Sequence, residues 1–74
     1  MMSEEVFIVE DMMCSACENT ITKTLNNNEN ISDVKVDLET KEVTVEYDEN
    51  NMDVEEILSS LDNVGFPATI KKKP

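Results

Sequence analysis

Histidine and arginine are absent from this 74-residue chain, glycine occurs once, and cysteine and proline occur twice each. Each shortage closes a class of function. Without histidine there is no Ser–His or Cys–His pair to activate a nucleophile, and one glycine cannot build a phosphate-cradling loop. The carboxylates are spread rather than paired, so nothing reads as catalytic and the chain is expected not to be an enzyme. Lysine supplies all the positive side-chain charge, 6 residues against 17 acidic ones, for a formal net charge of −11. Such a surface repels nucleic acid and anionic membrane, which are bound mainly through Lys and Arg at phosphate, and it attracts cations and basic protein patches. Lys71, Lys72 and Lys73 form the one basic run and read as a solvated tail without a function of its own.

No apolar run approaches the roughly 20 residues of a membrane span, and Glu4 and Glu5 stand where a signal peptide would be basic. The expected location is therefore the cytoplasm, with no membrane insertion. Cys14 and Cys17 are too close in sequence for a bridge between them to stabilise a fold usefully, so their role reads as chemical, as reduced thiols. At this length, residues 1–74 are expected to form one domain around a thin core.

Hydrophobic periodicity divides that domain cleanly. Val6-Phe7-Ile8-Val9 suits a central strand covered on both faces. Ser15-x-x-Glu18 has the spacing of a capping box, which predicts a helix starting at Ser15 with Cys17, Thr20, Ile21, Thr24 and Leu25 on one face. The asparagine-rich stretch through Asn30 reads as a loop tolerant of left-handed backbone angles. Val34, Val36 and Leu38, then Val43, Val45 and Tyr47, alternate with polar residues and predict a hairpin. Asp53 is placed to cap a second helix carrying Val54, Ile57, Leu58 and Leu61, with Gly65 placed to end it. A last short strand is expected from Pro67 through Lys71, with Ala68 and Ile70 on one side. The resulting order is βαββαβ. It predicts an α+β, ferredoxin-like sandwich: a four-stranded antiparallel sheet with two helices on one face.

Cys14-Ser15-Ala16-Cys17 falls across the first strand-to-helix junction, so both sulfurs can face one ion. The open amides and positive end of a helix favour thiolate there, while the surrounding carboxylates act in the opposite direction. C-x-x-C alone is shared by zinc sites, iron–sulfur proteins and dithiol oxidoreductases. Counting ligands separates them. Closed zinc sites and iron–sulfur clusters want four ligands, and this chain offers two cysteines and no histidine. Soft thiolates select Cu(I), which is content with two sulfurs. Such a site stays open to an incoming thiolate, so the ion can pass to a partner without being free.

The sequence here resembles the heavy-metal-associated domain, found as free copper chaperones and as N-terminal modules of metal-transporting P-type ATPases. Met12-Met13-Cys14-Ser15-Ala16-Cys17 matches the family's G-M-x-C-x-x-C signature except that Asp11 replaces its glycine, and Gly65-Phe66-Pro67-Ala68 resembles its G-[YF]-x-A segment. The resemblance implies Cu(I) held by Cys14 and Cys17, Met12 packed beneath the loop, and Phe66 lying across it. It also implies a copper-transporting P-type ATPase, or the metal-binding domain of one, as partner. Met13 stands where the family usually has a polar residue and reads as a simple substitution rather than a soft third contact. Members tuned for zinc or cadmium tend to place an acidic residue beside the first cysteine. Asp11, three positions away, reads as a turn residue.

The leading expectation is a copper chaperone that is a monomer without metal and is able to share its ion across a metal-bridged dimer. Mercury, zinc and cadmium carriers are the alternatives, together with a module excised from a transporter. Met1 and the closing strand favour an independent small protein. A thiol–disulfide oxidoreductase is disfavoured because Met13, not an aromatic residue, precedes Cys14.

Overall fold

The computed structural model describes residues 2–71, so Lys72 and Lys73 of the basic tail lie outside the described residues. The elements are β1 (Met2–Ile8), α1 (Ser15–Asn26), β2 (Ile31–Asp37), β3 (Glu42–Asp48), α2 (Val54–Asn63) and β4 (Thr69–Ile70). The strands form one antiparallel sheet in the order β2-β3-β1-β4. This is the ferredoxin-like α+β fold that the periodicity predicts.

One face of the sheet builds the core. Phe7 stands opposite Val43 in the register, and Val45 and Tyr47 follow at alternate positions of β3. These residues merge with Ile21 and Leu25 of α1 and with Ile57 and Leu61 of α2 into a single buried cluster, which puts both helices on that face. β1 is central, as expected, but covered on one face only. Phe7 and Val9 are fully enclosed, whereas Val6 and Ile8, pointing the other way, are half-buried because no helix covers the second face. On that open face Lys71 pairs with Glu42 across β1.

Several local expectations change. The predicted face of α1 is narrower than its spacing implies: Ile21 and Leu25 are buried, Cys17 and Thr24 are half-buried, and Thr20 is exposed with its hydroxyl donating to the Ala16 carbonyl at 3.0 Å. β4 shrinks to Thr69–Ile70, since Pro67 has no N–H to give a ladder and Ala68 turns in to pack on the core. Ile70 shares the register of Phe7 but is 37% exposed at the sheet edge. The asparagine loop needs no left-handed residue: Asn28 N–H donates to Leu25 O, Ile31 N–H to Asn28 O, and the Asn28 side chain accepts from Asn30 N–H. Among the described residues the non-glycine with positive φ is instead Lys41, at 64°, in the β2–β3 turn. That turn is organised by Asp37, whose carboxylate accepts from the amides of Glu39 and Thr40. β2 carries a register shift between Ile31 and Asp33.

The second helix is as the sequence predicts. Asp53 caps it, accepting from the Glu56 amide at 3.1 Å. At its other end Phe66 N–H donates to Leu61 O and Gly65 N–H to Asp62 O, a Schellman arrangement with Gly65 at φ 88°.

Tyr47 offers a test of the core. Burial, reinforced by the negative charges of Glu5, Glu49 and Asp53, raises its phenol above the ordinary value of 10.0. The folded chain therefore holds this proton more tightly than the unfolded chain does. Its contribution to stability is whole below pH 10 and is lost as pH rises through the raised value. Tyr47→Phe is expected to flatten the alkaline fall of the thermal midpoint between about pH 9 and pH 11 relative to the parent protein.

Candidate metal centre

Between β1 and α1 the chain makes a tight turn in which Met12 N–H donates to Val9 O at 3.2 Å, leaving Glu10 and Asp11 at its exposed tip. Asp11 takes no positive φ, so a glycine is not required there and the carboxylate residue sits without backbone strain. Met12 is completely buried and belongs to the core, whereas Met13 is 75% exposed. The alternation reverses the chain from core to surface just before Cys14.

The helix that follows starts at Ser15, but its cap differs from the expected one. Two boxes overlap here, Ser15-x-x-Glu18 and Cys14-x-x-Cys17, one residue apart. The fold uses the second. Cys14 has extended angles (φ −150°, ψ 165°) and is the N-cap, its sulfur accepting from the Cys17 amide at 3.4 Å, while Ser15 is already helical. The cysteine spacing is thus the spacing of a helix cap, which brings both sulfurs to the end of α1 where amide hydrogens are unpaired. The sulfurs lie 2.9 Å apart, within hydrogen-bonding distance of each other. Cys14 is exposed and Cys17 half-buried, and neither is in a disulfide.

That environment acts on Cys17. The contact with the Cys14 sulfur, and then the backbone N–H of Met13, hold its thiol below the ordinary value of 9.0, against a smaller opposing effect of burial. Thiolate is the form in which cysteine binds metal. Among the described residues no cluster of three or more Cys, Asp and Glu groups gathers at a spacing suited to one ion, so Asp11 and Glu18 do not extend the pair into a closed site. Phe66, half-buried, follows Gly65 directly and packs against the core that contains Met12.

One residue that touches this loop was not legible from spacing. Lys41, 29 positions from Met12, donates from Nζ to the Met12 carbonyl at 3.1 Å. Its own carbonyl accepts from Val9 N–H at 2.9 Å. In sequence it is one charge in the turn Glu39-Thr40-Lys41-Glu42, and only the β1–β3 pairing brings it to the loop.

Two thiols offered at a helix start on a ferredoxin-like sheet, with an unclosed ligand set, define a class of small soft-metal-binding domains. The chain belongs to the heavy-metal-associated domain family, whose profile matches residues 6–67. It is similar to copper chaperone CopZ of Staphylococcus aureus (strain bovine RF122 / ET3-1), with 31% identity over 65 residues that cover 88% of this chain and 96% of that protein. The mercuric transport protein periplasmic component of Serratia marcescens is 34% identical over 64 residues, 86% of this chain and 70% of that one. Copper-transporting ATPase 1 of Rattus norvegicus is 38% identical over 66 residues, but these span 89% of this chain and only 4% of the ATPase. Among solved structures, oxidized MerP from Ralstonia metallidurans CH34 superposes with a TM-score of 0.92 at 28% identity, covering 97% of this chain and all of that one. The N-terminal domain of a potential copper-translocating P-type ATPase from Bacillus subtilis, in the Cu(I)-loaded state, gives 0.89 at 32% identity, covering 96% of this chain and 89% of that one. No helix among the described residues is long and apolar enough to cross a membrane.

Proposed function

We propose that this domain is a cytoplasmic Cu(I) carrier that holds the ion between Cys14 and Cys17 and passes it on by thiolate exchange, without catalysing covalent chemistry. The observation that carries the reading is the open pair of thiols at the capped start of α1, 2.9 Å apart, with no third protein ligand gathered among the described residues. Zinc would be left with half of its usual four ligands, whereas Cu(I) is satisfied by two soft sulfurs. With metal–sulfur bonds of about 2.3 Å, as zinc makes, a linear S–metal–S unit spans roughly 4.6 Å. The sulfurs must then open from 2.9 Å, and exposed Cys14 has the freedom to turn outward.

The same openness gives the transfer step. A partner thiolate adds to the bound ion as a third ligand and one of the two original sulfurs leaves; a second partner thiolate then adds and the other original sulfur leaves, so the ion stays ligated throughout. The partner we infer is a copper-transporting P-type ATPase or its metal-binding domain, in keeping with the similarity to one such domain in its Cu(I)-loaded state. Mercury is the second reading, favoured by the similarity to the mercuric transport protein. A competition titration of the reduced protein decides between metals: Cu(I) is expected to displace Zn(II) completely at equal concentrations. With a basic C-x-x-C acceptor domain, transfer is expected to slow as salt rises, because a chain of net charge −11 steers encounter electrostatically. Preferential retention of Zn(II) would overturn the copper assignment.

A further inference from the structure

We propose that Lys41 is a positioning residue for the metal loop, holding the Met12–Met13 peptide in place immediately before Cys14 and thereby setting how tightly the thiols keep their cargo. The inference rests on the reading of Cys14 and Cys17 as the metal ligands and goes beyond it.

Three observations meet at this peptide. Its carbonyl, on Met12, accepts from the Lys41 ammonium at 3.1 Å. Met13, which completes that peptide, is followed directly by Cys14, whose sulfur lies 2.9 Å from that of Cys17. The turn leading to it is tied to Lys41 a second time, through Val9 N–H and the Lys41 carbonyl at 2.9 Å. Lys41 thus grips the loop with main chain and side chain at once. Among the described lysines it is the one that is half-buried; Lys23, Lys35 and Lys71 are exposed. It also occupies the left-handed conformation, φ 64°, which a lysine adopts without the ease of glycine. An anchored ammonium in an uncommon backbone conformation is expected where the side chain has a task that glycine cannot perform.

The physical consequence is preorganisation. With the Met12 carbonyl held by the ammonium and Val9 N–H held by the Lys41 carbonyl, the backbone entering Cys14 is fixed before an ion arrives. Ordering that binding would otherwise cost is already in place, so the loaded state is favoured. The grip also fixes the height of the loop before Cys14, so the sulfurs approach the ion in one geometry.

Lys41→Met keeps an apolar stem and removes the ammonium. Lys41→Gly removes the side chain while favouring the positive φ, so the turn itself is not strained. In the metal-free reduced proteins the Met13 amide proton signal is expected to move upfield in both variants, with amides of α2 unchanged. Cu(I) affinity, measured by chelator competition, is expected to fall about tenfold in both, the scale of one hydrogen bond. Release to the chelator is expected to quicken, and Lys41→Arg, which restores a cationic donor, is expected to recover most of the loss. Wild-type affinity and release rate in a folded Lys41→Met or Lys41→Gly protein would overturn the proposal, as would an unmoved Met13 amide. Failure of the parent protein to bind Cu(I) would instead overturn the copper reading, while the Met13 shift in the metal-free protein reports on the Lys41 anchor by itself.

Discussion

Replacing Cys14 with serine is expected to abolish tight one-to-one Cu(I) binding while leaving the fold standing. The two halves of that result have separate causes. A hydroxyl is a hard, weak ligand for a soft ion, and losing one of two sulfurs leaves Cu(I) with a single good donor, so affinity is expected to drop on the order of a thousandfold or more. Serine, however, is among the best N-cap residues, and its oxygen can accept from the Cys17 amide in place of the sulfur. Helix α1 therefore keeps its start, and the loss is chemical rather than structural. Chelator competition on the reduced protein measures the first half. A thermal midpoint within a few degrees of the parent measures the second. Cys17→Ser is expected to lose binding to the same extent. If either variant binds one Cu(I) as tightly as the parent, the metal lies elsewhere on the molecule.

Met12→Ala is expected to do the reverse, harming the fold far more than the site. Its side chain is wholly enclosed, and truncating a buried methionine costs about 2–5 kcal/mol through lost burial and the cavity left behind. A chain of 74 residues has a total stability of roughly 4–11 kcal/mol, so a large share is removed. The thermal midpoint is expected to fall by about 10 °C or more. Met12→Leu nearly conserves volume, costs under about 1.5 kcal/mol and removes the thioether. Because the Met12 side chain is in the core while its carbonyl faces Lys41, the leucine variant is expected to bind Cu(I) within a few-fold of the parent. A hundredfold loss in that well-folded protein would make the Met12 sulfur a ligand.

These two experiments bear on what the sequence could and could not convey. Local periodicity was enough for most of the fold: Val43, Val45 and Tyr47 are buried at alternate positions, and the Asp53 cap and the Gly65 terminator are where their chemistry puts them. The C-x-x-C pair was legible because its ligand types are rare in this chain. What spacing could not settle was which of two overlapping boxes caps α1, since Ser15 and Cys14 differ by one residue and the choice depends on where the β1 loop leaves the core at Met12. The length of β4 was also hidden, because an edge strand is set by its neighbour's ladder rather than by its own residues. Lys41 lay furthest from view: its partner is 29 residues away, and nothing local distinguishes it from the other lysines.

The borders of the sheet have a bearing on how many copies of this domain can coexist. One outer strand, β4, is two residues long, and the other, β2, is broken in register near Ile31 and lined by Asp33, Lys35 and Asp37. Short, bulged and charged margins are poor templates for a second chain. Mutual repulsion at a net charge of −11 keeps copies further apart still. The domain can thus accumulate in a crowded compartment without polymerising along its strands.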